Sequence, residues 1–268
     1  MESNPDWHRT RLSQEICVVW NWVAANGQFK DMACRTMLLK LERRGYLQLP
    51  DRRSAGRNNS FIGHIPIEHS TTSIECVLQK LTPLTIEVVQ SPETLRLFNH
   101  LLAKYHYLRF GSTVGENMKY IVYDRDHRPL ACLLFGAAAW KVAGRDQEIG
   151  WDTKTRQAHL HLITNNTRFL ILPWIKVPHL ASHVLGRTSR RISGDWMKKY
   201  AHPIVMLETF VERDRFHGAC YQAANWLCVG QTQGRSRNDR DRTLNVPVKD
   251  VYLYPLTKKA KERLCHEP

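Results

Sequence analysis

The chain has 268 residues, of which 43% are hydrophobic, so it is long enough to bury a core as one large domain or two small ones. Its 39 Lys and Arg against 25 Asp and Glu give a formal net charge of +14, which favours a polyanionic partner, usually nucleic acid. A membrane partner is not expected, because no apolar run approaches the ~20 residues of a membrane span and the N-terminus lacks the basic and apolar regions of a signal peptide.

The seven cysteines are odd in number, and no pair has Cys-x-x-Cys spacing. Most of them lie in apolar runs, which favours buried and reduced thiols over disulfides or a zinc ribbon. We therefore expect a cytoplasmic protein.

Residues 1–60 are predicted to form a small basic helical module. Helices are expected at Leu12–Ala24 and Met32–Arg44, and Tyr46–Pro50 is expected to be a short strand before a basic loop. This order is typical of a winged helix-turn-helix, and the alternative is a helical hairpin with solvated charges. The basic loop contains Arg52, Arg53 and Arg57. The residues expected to contact DNA here are Arg35, Lys40, Arg43 and Arg44.

Residues 61–82 belong to a stretch rich in Ser, Gly, Asn, Thr and His, and we assign them to a linker. From residue 83 to residue 268, apolar strand signals alternate with helical patterns. Strands are expected at 84–89, 119–124, 130–135, 168–175, 204–211 and 251–254, and helices at 91–102, 178–192 and around Tyr221. The order β-α-β-β-β-α-β-α-β predicts an α/β domain whose sheet is of mixed direction.

The stretch Arg215–Trp226 carries a His, a Tyr, an Asn and a Trp around one Gly, directly after the apolar strand signal at 204–211. At helical spacing Tyr221 and Asn225 are i,i+4 neighbours and His217 lies one turn earlier, so the three side chains are expected to point at one spot. A strand, a glycine turn and a short polar and aromatic helix are typical of a site at the end of a sheet. The alternative is that the aromatic residues are core and that His217 caps the helix.

Glu208 lies inside the otherwise apolar strand signal that precedes this stretch. A buried carboxylate is costly unless it is paired, and a raised pKa would suit a general base. The alternative is a salt bridge, with Arg168 of a neighbouring strand as the partner. The candidate catalytic residues are therefore Glu208, His217, Tyr221 and Asn225.

Several stretches of this chain resemble a known family. They are Asn165–Trp174, Gly218-x-x-Tyr221-x-Ala223-x-Asn225-Trp226-x-x-x-Gly230, Lys30–Arg35 and Val246–Leu256. They are similar to the DruA family, a component of the Druantia anti-phage defence system, and the resemblance covers most of the chain. It implies a role in anti-phage defence, with DNA and other proteins of the defence system as partners.

The predicted element order also resembles the GNAT acyltransferase fold. The fold class expected is therefore α/β, a GNAT-like mixed sheet preceded by the winged-helix-like module. The short stretch from His217 to Trp226 is in addition similar to the Mom DNA-modification protein of phage Mu, a GNAT-like enzyme that modifies adenine in DNA. Fold alone does not determine chemistry, so the activity remains open at this stage.

The GNAT resemblance implies a cofactor site, but the loop that binds the cofactor pyrophosphate differs in this sequence. In GNAT enzymes a Gln/Arg-x-x-Gly-x-Gly/Ala loop holds the cofactor pyrophosphate on backbone amides at a helix N-terminus. The equivalent segment, 176–182, has no glycine, Pro178 removes one amide and Leu180 adds bulk. This argues against a standard acetyl-CoA site and leaves the cofactor open. The residues that would border a cofactor here are Trp174, Ile175, Val177 and His179.

The GNAT resemblance also implies a cleft. Strands ending at Ile175 and Val211 would be neighbours that splay apart, and the helix bearing Tyr221 follows the second of them. We expect the candidate catalytic side chains to face this cleft, with the amides near His179 at its border.

Two further patterns bear on nucleic acid. Basic clusters in the second domain are expected to contact phosphates, and their members are Arg187, Arg190, Arg191, Arg235, Arg237 and Arg240. His159-Leu160-His161 has the spacing of nucleases that cut single-stranded DNA with a tyrosine. On a strand both rings would face one way and bind a divalent metal, and the alternative is a pair of structural or surface histidines.

Three functions follow from these patterns. The first is a DNA-binding component of an anti-phage defence system with a divergent GNAT-like domain. The second is a base-modifying, acyltransferase-like enzyme, and the third is a metal-dependent single-strand nuclease. The sequence leaves catalytic activity, cofactor, strand form of the DNA and oligomeric state open.

Overall fold

The computed structural model of the chain describes residues 6–24, 27–51, 67–111, 113–234 and 247–266. The chain divides into two compact units, residues 1–59 and residues 60–268. Within the described ranges, no helix is both long enough and apolar enough to cross a membrane.

The first unit contains two helices that pack on each other, α1 (Arg9–Val19) and α2 (Asp31–Arg43). His8 caps α1, because its Nδ1 accepts a hydrogen bond from the Arg11 amide at 3.3 Å. The helices bury Cys17 and Cys34 between them. Both predicted helices are therefore present, although the first one ends earlier than the sequence indicated.

The predicted strand at 46–50 is wrong. The residues after α2 are instead held by Glu42, whose Oε1 accepts a hydrogen bond from the Leu49 amide at 2.9 Å. Among the described residues of this unit the β-structure is one isolated bridge, between Val23 and Phe29. The predicted basic loop of Arg52, Arg53 and Arg57 lies outside the described residues, so the winged helix stays a prediction.

The second unit is built from nine strands and seven helices in its described part. The strands are β1 (Ile74–Glu75), β2 (Thr85–Val88), β3 (Met118–Tyr123), β4 (Pro129–Ala137), β5 (Ile163–Ile171), β6 (Ile175–Lys176), β7 (Met206–Glu212), β8 (Leu227–Gln231) and β9 (Lys249–Pro255). The helices are α3 (Pro92–Tyr105), α4 (Ala143–Ile149), α5 (Thr153–His159), α6 (Leu180–Ser189), α7 (Ile192–Tyr200), α8 (Ala219–Ala223) and α9 (Ala260–His266).

Seven of the strands form one sheet in the order β2-β3-β4-β5-β7-β9-β8. Every pair in it is antiparallel except β5 with β7, which run parallel. The parallel pairing is short, because it stops where Asn165 pairs with Glu208, and both strands continue beyond that point. The α/β sheet of mixed direction is thus confirmed, and two of its central strands separate beyond their short paired segment.

The two faces of the sheet carry different helices, because side chains alternate between faces along a strand. On β7, Leu207 and Val211 belong to the large core that also contains Tyr221 of α8. Met206 belongs to a second core, formed with residues of α4 and α9. Glu208 follows the parity of Met206, and Thr209 follows that of Leu207, so neighbouring residues of one strand face different helices.

Local sequence explains where the elements begin. Ser91 caps α3, since its Oγ accepts a hydrogen bond from the Thr94 amide at 3.1 Å, and Pro92 occupies the first turn, where it has no amide to lose. Asp124 closes the turn between β3 and β4, because its Oδ1 accepts from the amides of Asp126 and Arg128. Both features match the predicted helix and the predicted hairpin.

The described part of the predicted linker is not a linker. Ile74 is buried and pairs in parallel with Ile175, and Leu81 is buried in the large core. Their apolar side chains lie within a polar stretch, which is why composition alone suggested a linker. Residues 67–82 therefore belong to the sheet unit, while 61–66 lie outside the described residues.

Candidate functional site

A cavity of about 610 Å³ opens where β5 and β7 diverge. Most of its lining comes from the end of α3 and the loop after it, the second half of β5, the end of β7, the loop after β7, and α8, and Pro173 and Ala181 complete it. The volume is in the range of small-molecule sites, which are commonly a few hundred cubic ångströms. The separation of the two strands thus creates the cavity, and side chains from neighbouring elements form its walls.

The floor of the cavity is a hydrogen-bonded group of three buried polar residues. The Tyr221 hydroxyl donates to Asn166 Oδ1 at 2.7 Å, and the Thr209 hydroxyl donates to the Asn166 carbonyl at 3.0 Å. The Asn166 amide nitrogen donates to the carbonyls of Leu134 at 3.2 Å and Arg168 at 3.1 Å. Such a network holds each side chain in one orientation.

The phenol of Tyr221 is neutral at physiological pH. Burial is the main reason, because removing the phenolate from water raises the pKa of Tyr221 well above its usual range. The nearby Thr209 hydroxyl lowers this pKa, but its effect is smaller than that of burial. The hydroxyl therefore keeps its proton and acts as a donor to Asn166.

Helix α8 is positioned by close packing. Gly218 has φ +68°, and a Cβ at this position would overlap the Tyr252 ring and hydroxyl. The absence of a side chain lets the helix start directly on that ring, and the Tyr221 ring then lies 5.9 Å from Tyr252 and 5.1 Å from Trp226. The glycine of the sequence motif is thus needed to bring Tyr221 to the floor.

The mouth of the cavity carries aromatic rings beside cationic groups. The Arg215 guanidinium lies 4.9 Å from the centre of the Tyr107 ring, and Phe216 packs edge-on to the same ring at 5.2 Å. Phe216 is 45% exposed, and His217 is exposed next to it. Glu212 contacts Arg215 at 3.7 Å, which is a loose ion pair. We call Tyr107, Arg215, Phe216 and His217 the aromatic rim.

His106 lies behind the rim, in the loop after α3. Its Nδ1 accepts a hydrogen bond from the Leu108 amide at 3.2 Å, so this nitrogen carries no proton. Burial lowers the pKa of His106 to about 4, and the charge of Arg168 lowers it further in the same direction. The ring is neutral at pH 7 and serves as a fixed acceptor for its own loop.

Glu208 does not border the cavity, which corrects the sequence-based prediction. It is fully buried on the other face of the sheet, where Oε2 accepts from Arg145 Nη1 at 2.8 Å and Oε1 accepts from the Ala139 amide at 2.7 Å. Burial raises its pKa, and Arg145 and the amide oppose that rise. The salt-bridge alternative is correct in kind, but the partner is Arg145 rather than Arg168. The parity of Glu208 on β7 is the reason.

Asn225 is also outside the cavity. It is exposed, lies after the last residue of α8, and has φ +63°, a left-handed conformation that Asn tolerates better than most residues. It ends the turn rather than extending the helix, so the i,i+4 relation to Tyr221 does not form. Of the four candidate catalytic residues, His217 and Tyr221 line the cavity.

The four candidate cofactor-binding residues are Trp174, Ile175, Val177 and His179. None of them lines the cavity, although Pro173 and Ala181 beside them do. Ile175 is engaged in the β1–β6 pairing, and Trp174 packs on Tyr105 at 5.1 Å. Their role in binding a cofactor stays a prediction that the geometry does not favour.

The two candidate metal histidines are not on a strand. His159 ends α5 and His161 lies in the short 3₁₀ turn after it. His159 Nδ1 contacts the Leu264 carbonyl at 2.7 Å, and His161 Nδ1 contacts the Ala158 carbonyl at 2.9 Å. Over the described ranges, no group of three or more His, Cys, Asp or Glu is arranged to hold a metal ion. The arrangement needed by the nuclease hypothesis is therefore absent at this pair.

The cations predicted to contact DNA fall into three groups. Arg35 is paired with Asp31 at 2.7 Å, and Arg191 is paired with Asp195 at 2.7 Å, so both are engaged within the protein. Within the described residues, five of the cations form no ion pair with another described residue, and all of them except Arg187 are exposed: Lys40, Arg43, Arg44, Arg187 and Arg190. Arg235, Arg237 and Arg240 lie outside the described residues.

Sequence reasoning missed several residues of the site. Asn166 lies two residues before the strand predicted at 168–175, within the family-like stretch Asn165–Trp174, and its place inside β5 was not predicted. Phe216 lay between Arg215 and His217, an apolar residue within a polar turn, which points to an exposed aromatic group. Thr209 and Tyr107 had no such signal, because their positions depend on strand register and on the course of a loop.

Comparisons with known proteins add the following. The model of the family described as Druantia protein DruA matches residues 40–245. No curated protein matches the chain. Solved structures with a similar fold include a dodecameric spermidine N-acetyltransferase from Vibrio cholerae in an intermediate state (TM-score 0.44, 8% identity, 66% of this chain and 96% of that chain). They also include the spermidine/spermine N-acetyltransferase SpeG from Vibrio cholerae in complex with manganese ions (TM-score 0.42, 9% identity, 67% and 96%). A likeness at this level does not extend to activity or substrate.

Proposed function

We propose that this chain, which belongs to the DruA family of the Druantia anti-phage defence system, is a DNA-binding component of that defence. The proposal assigns DNA contact to the divergent GNAT-like unit and, in addition, to the basic helix of the first unit. The net charge of +14 supports a polyanionic partner in general terms.

The aromatic rim is the observation that carries the proposal. Exposed aromatic rings beside cations are the groups that bind nucleic acid when bases are unpaired, since rings stack on bases and cations contact phosphates. Phe216 is 45% exposed although it is apolar, and it lies at the mouth of a cavity next to Arg215. Packing within the protein does not explain why the Phe216 ring is exposed to solvent. A nucleobase stacked on the exposed part of the ring would cover it.

The residues around the aromatic rim also support DNA contact at the mouth of the cavity. A shallow depression beside the cavity is lined by Arg213, His217, Gln231 and Val248, among others. Gln231 and Val248 flank the arginine-rich segment 235–246, which lies outside the described residues. Both ends of the arginine-rich segment are therefore joined to residues that line the depression next to the aromatic rim. Arg235, Arg237 and Arg240 of this segment remain proposed phosphate contacts.

Binding of labelled single-stranded and duplex DNA, followed by fluorescence anisotropy over a range of salt concentrations, tests this function. We expect Phe216→Ala to weaken single-strand binding by about 1–3 kcal/mol, the usual loss of one base-stacking ring. Arg215→Ala should weaken binding and reduce the salt slope by about one. Lys154→Ala removes an exposed cation of α5, away from the cavity, and serves as the matched control. Equal loss in all three variants, or no binding by the native chain, would contradict the proposal.

A second function, modification of a DNA base, is favoured by one observation. A neutral phenol, that of Tyr221, lies in a cavity and donates its proton to Asn166 at 2.7 Å, so its oxygen is fixed where it can accept a hydrogen bond from the amino group of a substrate base. Mass spectrometry of nucleosides from DNA incubated with the protein and cell extract tests it. A new nucleoside that disappears with Tyr221→Phe would support an enzyme, whereas unmodified DNA throughout would leave binding as the function.

A further inference from the structure

We infer that the cavity accepts a flipped-out or unpaired nucleobase that carries an exocyclic amino group, and that the amino group donates to the floor. This inference rests on the proposed function, since it names the chemical group that the DNA-binding cleft selects. It is carried by the direction of the hydrogen bonds at the floor.

Every polar hydrogen of the floor side chains is already donated to the protein. The hydroxyl protons of Tyr221 and Thr209 go to Asn166, and both amide protons of Asn166 go to backbone carbonyls. What the floor still offers is lone pairs, on the two hydroxyl oxygens. A bound molecule must therefore donate a hydrogen bond there, and a carbonyl oxygen would meet lone pairs only.

Charge excludes a protonated amine as that donor. Among the described residues that line the cavity there is no Asp or Glu, and the charged residue that lines its mouth is Arg215, which Glu212 contacts at 3.7 Å without lining the cavity itself. A buried ammonium without a carboxylate partner is costly, and the arginine repels it as it enters. The donor is consequently a neutral N–H, and Arg215 suits a phosphate attached to the same molecule.

The walls select a flat and largely apolar body. Phe169, with its ring 6.3 Å from that of Tyr221, lines one side, and Tyr107 and Phe216 flank the mouth. A planar heterocycle that carries a neutral amino group and is joined to a phosphate fits the cavity as a whole. Its ring suits the walls, its amino group suits the floor, and its phosphate suits Arg215 at the mouth. Adenine, cytosine and guanine each present such an amino group on the edge that unpairing exposes, whereas thymine presents two carbonyls and one ring N–H there.

A matched pair of oligonucleotides tests the inference. They are identical except for one unpaired central base, which is adenine in one and purine, lacking only the amino group, in the other. We expect the native chain to bind the adenine oligonucleotide roughly 3- to 10-fold more tightly, the effect of one neutral hydrogen bond. Tyr221→Phe and Thr209→Val should each reduce this ratio toward one. Tyr123→Phe, which removes a hydroxyl of β3 outside the cavity, should retain it.

Alkylation of the cysteines locates the bound base without relying on the variants. Cys220 lines the cavity and Cys228 is exposed on β8. The adenine oligonucleotide should slow alkylation of Cys220, mapped by mass spectrometry, and leave that of Cys228 unchanged. Thermal melting of each variant shows whether it is folded.

The outcomes separate this inference from the function on which it rests. Absence of binding to any oligonucleotide would overturn the proposed function, and the inference with it. Salt-dependent binding with equal affinity for adenine and purine would overturn the inference alone. Protection of Cys220 by acetyl-CoA, and not by the adenine oligonucleotide, would assign the cavity to an acyl carrier and would also overturn it.

Discussion

At the scale of single residues, burial and the direction of hydrogen bonds decide which candidate residues belong to the site. Tyr221 and Glu208 looked equally suited to chemistry in the sequence, and both are buried. Tyr221 faces the cavity, whereas Glu208 forms an ion pair on the opposite face of the sheet with Arg145, which is also fully buried. The same type of environment therefore gives a site residue in one case and a structural residue in the other.

The ion pair of Glu208 leads to a prediction about stability. Glu208→Gln leaves the buried Arg145 with its charge less compensated, so we expect the free energy of unfolding to fall by about 3 kcal/mol, as for other broken buried pairs. Urea unfolding measures it. Glu75→Gln, which removes an exposed partner of Lys176, should leave the unfolding curve unchanged. If Glu208→Gln instead unfolds normally and loses DNA binding, Glu208 has a functional role after all.

The neutral ring of His106 predicts a dependence of stability on pH. Its folded pKa is about 4, below its usual value near 6.5, so the folded state favours the unprotonated ring. Its contribution to stability is present above pH 6.5 and is lost progressively as the pH falls from about 6.5 to about 4. His106→Asn keeps an acceptor for the Leu108 amide but does not titrate in this range. The difference between native and variant unfolding free energies should therefore shrink on acidification, and a constant difference would contradict the assignment.

At the scale of elements, the sequence predicted those with a strong pattern of their own. The hairpin of β3 and β4 and the helix α3 have apolar runs or caps that are readable locally. Helix α4 and strand β8 were missed, because α4 is short and polar and depends on Arg145 in the interior, and β8 is exposed on most positions. Their stability comes from tertiary contacts, which local patterns do not contain.

The same limit explains the errors in the site. The apolar run containing Glu208 predicted a strand correctly, but not which face each side chain would occupy, since a shift of one residue in register exchanges the two faces. The predicted helix around Tyr221 exists but ends at Ala223, before Asn225. The cleft itself was predictable from the GNAT resemblance, whereas Asn166, Thr209 and Tyr107 required the three-dimensional arrangement.

The start of helix α8 gives a prediction about an element. Gly218→Ala places a methyl group against the Tyr252 ring in a backbone conformation that disfavours side chains, so α8 must shift away from the floor. We expect a loss of about 2–4 kcal/mol in unfolding free energy and a loss of the adenine preference. Gly194→Ala is the matched control, since that glycine lies in α7 with open space around it and alanine there should stabilise by about 0.5–1 kcal/mol. A Gly218→Ala chain of native stability would show that the close contact is not needed.

At the scale of the whole molecule, the division into two units bears on the proposed binding of DNA. Residues 1–59 and 60–268 are each compact, and cations are exposed on both, including Arg43 on α2 and Arg190 after α6. Two linked binding sites gain affinity from their effective concentration, even when each alone is weak. The position of the boundary matters for testing this, because residues 74–82 belong to the sheet unit and must be kept with it.

Removal of the first unit tests the effect of linking two binding sites. A chain that begins at residue 67 keeps Ile74 and Leu81 in the core but lacks the first unit. We expect it to bind DNA at least tenfold more weakly than the full chain. Its plot of log affinity against log salt should be less steep by about two to three, because the proposed phosphate contacts of Lys40, Arg43 and Arg44 would be lost. The full chain with these three residues changed to Gln is the control, and it should show the same reduced slope with both units present. Equal affinity and equal slope for the shortened chain would mean that the first unit has a role other than DNA contact, since its exposed cations would then have no effect on DNA binding.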